Sequence, residues 1–192
     1  VSNIETLLDL SRRLTKMLED PEPGLLMWNE ATHNIIGQIA EFASTKIHKQ
    51  VREFMEAVGQ VILYKPGVPD ESTVRLRGRL VMEEAFEFAQ SLVDNRSRQA
   101  LQLMKSNAMT VLESSAVEVN LPEAADALAD LDYVVEGSRI AFGINGTPIA
   151  AEVHRANMTK IGGPVVNGKA MKPEGWHPPD IELCLKKQGW EP

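Results

Sequence analysis

Two short acidic stretches stand out in this chain of 192 residues: Glu83-Glu84-Ala85-Phe86-Glu87, and the run from Glu123 to Asp130. Desolvating a carboxylate without a partner costs several kcal/mol even after relaxation, so such clusters need water, a cationic partner or a metal ion. On a helix turning about 100° per residue, Glu83 and Glu87 stack one turn apart with Glu84 within reach of both. Glu123, Asp126 and Asp130, at i, i+3 and i+7, fall within a sector roughly 60° wide by the same geometry. Asp132 points to the opposite side of that helix and is left outside the candidate site. Two helices that each present a carboxylate stripe can face one another across a bundle and hold hard divalent cations. Oxygen-only ligands point to Mg²⁺, or Mn²⁺, rather than zinc or copper. A lone Glu-Glu-x-x-Glu is more often a solvated helix face, and it is the second stripe that argues for a metal site. Neither acidic helix carries the Glu-x-x-His element of di-iron carboxylate bundles, which demotes an oxidase or ferritin-like reading.

The elements that must position these residues read as helices. Ile4, Leu7, Leu8, Leu14 and Leu18 suggest an amphipathic helix over residues 4–19, broken by Asp20-Pro21-Glu22-Pro23-Gly24. A second helix is predicted from about Trp28 to Lys46 and a third from about His48 to Val61, followed by a loop at Tyr64–Asp70. Ser72 or Thr73 is the expected cap of the next helix, about Val74 to Asp94, which carries Glu83, Glu84 and Glu87 on one face and Val81, Ala85, Phe88 and Leu92 on the other. Residues 95–120 give a weaker helical pattern and read as an insertion. Leu121-Pro122-Glu123 opens a strong helix, with proline where its missing N–H costs little, ending near Phe142-Gly143. One more helix is expected at Pro148–Met158, then a Pro/Gly-rich tail with a short helical stretch at Asp180–Lys187. No segment alternates as a sheet would, apart from brief apolar runs near Val61 and Val165. The expected fold is an all-α helical bundle with a carboxylate metal site, a helical extension at 1–46 and a main domain at 47–192, with 95–120 inserted.

Composition narrows the function classes. No apolar run approaches the 18 or so residues of a membrane span, and a net charge of −7 argues against a nucleic-acid polymer as partner. An acidic chain can still bind a nucleotide when divalent cations supply the missing positive charge. Cys184 is the single cysteine, so neither a disulfide framework nor a cysteine-based zinc site forms within one chain. With neither a basic leader nor an apolar signal core at the N-terminal residues, the cytoplasm is the expected compartment.

At this point the residues resemble the all-α nucleoside triphosphate pyrophosphohydrolases of the MazG-like group. Glu83-Glu84-Ala85-Phe86-Glu87 matches that family's Glu-Glu-x-x-Glu. The approach through Val51-Arg52-Glu53-Phe54, Gly59-Gln60, Pro66, Pro69 and Arg79, the helix from Asp126 through Asp130 to Tyr133, and Glu152-Val-His154-Arg-Ala-Asn157-Met-Thr-Lys160 are similar to its other elements. The gap between the two acidic elements is longer than the family's usual one. Ala127 stands where the second element has an acid, so Asp126 and Asp130 are the expected ligands there, with Glu123 as an outer ligand. The resemblance implies Mg²⁺-dependent hydrolysis of a (deoxy)nucleoside triphosphate to the monophosphate and pyrophosphate. It also implies metal ligands among Glu83, Glu84, Glu87, Glu123, Asp126 and Asp130, and a homodimer or homotetramer. Glu84 is the candidate proton acceptor. Arg79, Asn157, Lys160, Lys169, Lys172 and Trp176 (or His177) are candidates for binding phosphates or base, against the alternative of ordinary surface or capping roles. The extension around Pro21-Glu22-Pro23-Gly24-Leu25 and Trp28 is similar to that of phage enzymes for purine deoxynucleotides, which favours dGTP or dATP. A helical nucleotide-binding or interaction protein without turnover is the alternative from a different class.

Overall fold

Asp70 begins the helix on which the first acidic cluster stands. In the computed structural model its carboxylate accepts the Thr73 N–H at 2.9 Å and the hydroxyls of Ser72 and Thr73 at 2.5 and 2.8 Å. The cap is therefore Asp70 rather than Ser72 or Thr73, which lie inside the first turn: a carboxylate can take several of the donors that a helix start leaves unpaired. Those bonds, led by that from Ser72, hold the Asp70 carboxyl at a pKa of about 2.

The structure describes residues 45–192 and, before them, the exposed helical positions Asp9 and Arg12. Apart from these two positions and residues 45–46, the helices expected over 4–19 and 28–46 lie outside the described residues. The chain divides into two compact units, Val1–Met55 and Glu56–Pro192. Helix α1 (Lys46–Ala57) crosses that division and stops before Gly59, whose positive φ of 68° suits a residue without Cβ.

In the second unit α2 (Glu71–Ser91) turns back at Asp94, which caps α3 (Asn95–Ser114) by accepting the Ser97 N–H at 2.8 Å. The two helices run antiparallel, as their polar cross-links show. Arg98 Nε donates to Gln90 O at 2.8 Å, Lys105 pairs with Glu87 at 3.0 Å and Arg79 with Glu113 at 3.5 Å. Arg75 donates to Leu112 O, and to Ser115 O at 2.8 Å. Gly78 lets the helices close up, since a Cβ there would sit 3.2 Å from a Leu112 methyl. The segment whose apolar pattern is weak is thus a 20-residue helix tied to α2 largely by charged and amide groups.

Helix α4 (Leu121–Ala141) starts at its Asn120 cap with Pro122 in the first turn and ends before Gly143, at φ 67°. Helix α5 (Gly146–Met158) starts at Asn145, and the short α6 (Ile181–Lys186) is joined to it by the Asp180 N–H donating to Glu152 at 3.0 Å. Between α5 and α6 lies a hairpin, β1 (Val165–Val166) with β2 (Lys169–Ala170), turned by Asn167 and Gly168 at φ 48° and 75°. Two consecutive positive φ angles, with Asn-Gly filling them, are the mark of a type I′ turn. The hairpin lies on α2: a Cβ on Gly168 would come within 2.9 Å of a Leu76 methyl.

The fold is all-α, with strand confined among the described residues to that hairpin. Among them only Leu76, Ala156, Ala170 and Thr73 are buried. Apolar side chains of α2 and α4 stay open instead, with Phe88 47%, Val134 57%, Ile140 72% and Tyr133 82% exposed. No helix among the described residues is long and apolar enough to cross a membrane.

Candidate active site

The predicted glutamates do not share one environment. Glu83 is half-buried and accepts Lys169 Nζ at 2.6 Å, a contact brought in by the hairpin from 86 positions away. That hydrogen bond first, and then the charges of Lys169, Lys105 and Arg79, hold the Glu83 carboxyl below the usual glutamate range despite its partial burial. Glu87 points to α3 and pairs with Lys105. Glu84 is exposed and lines a groove of about 710 Å³ between α2 and α4.

Lys160, just past the end of α5, donates to Asn157 Oδ1 at 2.8 Å, and its ammonium lies 5.4 Å from the Trp176 ring centroid. Lys172 lies 4.6 Å from the same centroid. The ring itself is fixed, because Trp176 Nε1–H donates to Ala156 O at 3.0 Å. Burial, and then the charges of Lys172 and Lys169, hold the Lys160 ammonium below the ordinary lysine range, against the opposing pull of Glu84. Lys160, Lys169 and Lys172 therefore form one cationic cluster that adjoins Glu83 and Glu84. Of the three, only Lys169 has a carboxylate ion-pair partner among the described residues.

Of the other predicted residues, Arg79 pairs with Glu113 of α3 while still acting on Glu83 through its charge. Glu123, Asp126 and Asp130 are exposed on α4 and are not among the residues that line the groove beside Glu84. The α4 face turned to that groove instead carries Leu128, Leu131, Val135 and Asp132, the acid expected on the opposite side from Asp126 and Asp130. The donor chemistry of the α2 glutamates suits a hard divalent cation. Among the described residues, however, no three His, Cys, Asp or Glu side chains converge closely enough to hold one. The Lys169–Glu83 link was not readable from spacing. Its signal is the Asn167-Gly168 dipeptide, which folds the tail back and places Lys169 in the first residue after the turn.

A family model for phosphoribosyl-ATP pyrophosphohydrolase matches residues 51–157, more than half of the chain. No curated protein matches the sequence at a significant level. The crystal structure of a candidate NTP pyrophosphohydrolase from Exiguobacterium sp. 255-15 superposes with a TM-score of 0.57 at 24% identity, over 76% of this chain and 96% of that one. That likeness shows the fold.

Proposed function

The chain belongs to the phosphoribosyl-ATP pyrophosphohydrolase family of all-α, MazG-like proteins, and from that membership we propose that it is a cytoplasmic, Mg²⁺-dependent hydrolase of (deoxy)nucleoside triphosphates. Mn²⁺ substitutes for Mg²⁺ in this reading. The bond cleaved joins the α- and β-phosphates, the products are a monophosphate and pyrophosphate, and the favoured substrates are the purine nucleotides dGTP and dATP.

The observation that carries this reading is the cluster of Lys160, Lys169 and Lys172 beside Glu83 and Glu84. Ammonium groups held near one another repel, and a dense anion such as a triphosphate relieves that repulsion through charge-assisted hydrogen bonds. Carboxylates next to the same anion are tolerable only when cations intervene. Glu83, Glu84 and Glu87 would hold that metal, with Asp126, Asp130 and outer Glu123 joining them when helices of the assembled protein close on one another. Bound Mg²⁺ supplies neutralisation of phosphate charge and a more acidic water.

The remaining work falls to the chain's own groups. Lys160, oriented by Asn157, grips the phosphates together with Lys169 and Lys172, and the Trp176 ring limits where the two outer lysines can swing. Arg79 adds positive charge from behind Glu83. Glu84, which reaches both solvent and groove, accepts the proton of the attacking water as its oxygen joins one phosphorus and the bridging P–O bond breaks. The open apolar faces of α2 and α4 would be covered in a homodimer or homotetramer.

A panel of standard and modified nucleotides with Mg²⁺ or Mn²⁺, with the products identified, tests the reading. Pyrophosphate release from at least one nucleotide is expected. Phosphate release would assign a different bond, and binding without turnover would favour a non-catalytic nucleotide-binding protein.

A further inference from the structure

A second cavity, of about 190 Å³, opens at the N-terminal end of α2, between its first turns, the loop that follows Val58 and the hairpin. Its polar wall is built around Arg77 and Gln60. Arg77 Nη2 donates to Gln60 Oε1 at 2.8 Å, and Gln60 Nε2 donates to Gly168 O at 2.7 Å, which fixes the carboxamide between helix and turn. One of the five N–H donors of the half-buried Arg77 is taken in this way, and among the described residues no carboxylate pairs with it. Asp70, the acid in the same wall, is committed to capping α2. Ser72, Thr73 and Asn167 add further polar groups and Val58, Val61, Leu76 and Val165 supply the apolar part, so the cavity combines apolar wall with an arginine that has no carboxylate partner among the described residues.

Two relationships join this cavity to the proposed active site. At about 1.5 Å of rise per residue, Arg77 lies roughly 10 Å along α2 from Glu83 and Glu84, on the order of the separation between a nucleotide's base and its outer phosphates. The hairpin also bridges the two places: Gly168 is in the cavity wall, while the next residue, Lys169, holds Glu83.

We propose that this cavity receives the nucleobase of the substrate and that Arg77 reads it as guanine, donating to O6 and N7 of the base. The inference rests on the pyrophosphohydrolase reading above. Guanine presents two adjacent acceptors that match the guanidinium fork, whereas adenine offers a donor at the exocyclic position and leaves Arg77 opposed to it. Gln60 serves as the positioning residue that holds the guanidinium in place.

The test measures kcat/KM for pyrophosphate release from dGTP, dATP, dCTP and dTTP by the wild type, Arg77→Met and Arg77→Lys. Binding of the α,β-imido analogues and the melting temperature of each protein are measured alongside. The wild type should favour dGTP over dATP, and Arg77→Met should lower that ratio by about tenfold or more, the scale of one bidentate arginine–guanine contact. Arg77→Lys keeps a charge but loses the fork, so it should lose most of the same preference; it carries the test if Arg77→Met fails to fold. An unchanged base preference in folded variants, or a wild type indifferent to guanine, overturns the assignment. Guanine-selective analogue binding without any turnover would sink the pyrophosphohydrolase reading and sustain this one. Absence of binding to every analogue would overturn both.

Discussion

Lys169 Nζ sits 2.6 Å from Glu83 Oε2, joining the strand after the Asn-Gly turn to the first glutamate of the acidic helix. A hydrogen bond that involves ionised partners is worth more than a neutral one, and this one is partly screened from solvent at both ends. Replacing Lys169 with methionine should raise the Glu83 pKa toward the ordinary glutamate range, read by carbon-13 NMR titration of the side-chain carboxyl. The sign follows from the depressed folded value: the pair's contribution to stability is present above the unfolded glutamate pKa and fades as pH falls through the folded one. The variant should therefore lose less stability than the wild type on acidification. Its KM for nucleotide should rise by about tenfold, as expected for one lost charge-assisted phosphate contact.

Glu84→Gln and Glu87→Gln test the acidic helix itself. Each removes one negative charge with almost no change in shape, on a helix whose start lies elsewhere, and Glu87→Gln also gives up the ion pair with Lys105 of α3. Pyrophosphate release should fall by about a hundredfold or more in Glu84→Gln, the scale of a lost general base, with circular dichroism unchanged. Retained turnover in both variants would remove these glutamates from the chemistry.

Asp70 supplies a pH-dependent element of a different kind. Its carboxyl titrates at about 2 in the folded chain because it accepts Ser72 and Thr73 donors at the start of α2. Its contribution is complete above the unfolded aspartate pKa of about 4 and is lost as pH falls through the folded value of about 2. Asp70→Asn should lower the melting temperature at neutral pH. The difference from wild type should shrink across the window between pH 4 and pH 2, followed by thermal melts in matched buffers.

The exposed apolar side chains of α4 predict self-association. Ile140 is 72% and Tyr133 82% exposed in a single chain, two turns apart on one helix, and an apolar patch on such a face marks an interaction surface. Sedimentation velocity should show a dimer or tetramer at micromolar concentration, and Ile140→Asp should shift the population toward monomer. A wild type that sediments only as monomer would remove the assembly from the proposal.

How much of this was legible in the sequence varied by element. The acidic helix was legible because helical spacing alone stacks Glu83 on Glu87, and the proline-started α4 because local chemistry marks its beginning. The cap of α2 was displaced by two or three residues, since Asp70, Ser72 and Thr73 all suit a helix start and only geometry shows which one accepts the donors. Helix α3 was faint because Arg75, Lys105 and Arg98 do much of the joining that a stripe of leucines would otherwise signal. Of the hairpin only the brief apolar run near Val165 stood out, because two-residue strands are too short to show a period. Within the site, Lys160 could be singled out through its neighbourhood to Asn157. The convergence of Lys169, Lys172 and Trp176 depends on how the tail folds, which spacing does not encode. Arg79, expected among the phosphates, is instead paired to Glu113, a partner 34 positions later on α3.

The Asn167-Gly168 turn also makes the protein modular. Every proposed metal-binding carboxylate precedes the end of α5 at Met158, whereas Lys160, Lys169, Lys172 and Trp176 all follow it. The carboxylates and the lysines of the proposed site thus come from separate stretches of chain, and one tight reversal lays Lys169 against α2. Substrate grip can then diverge by exchange of the tail, as with a detachable handle, while the helices that hold the carboxylates remain untouched.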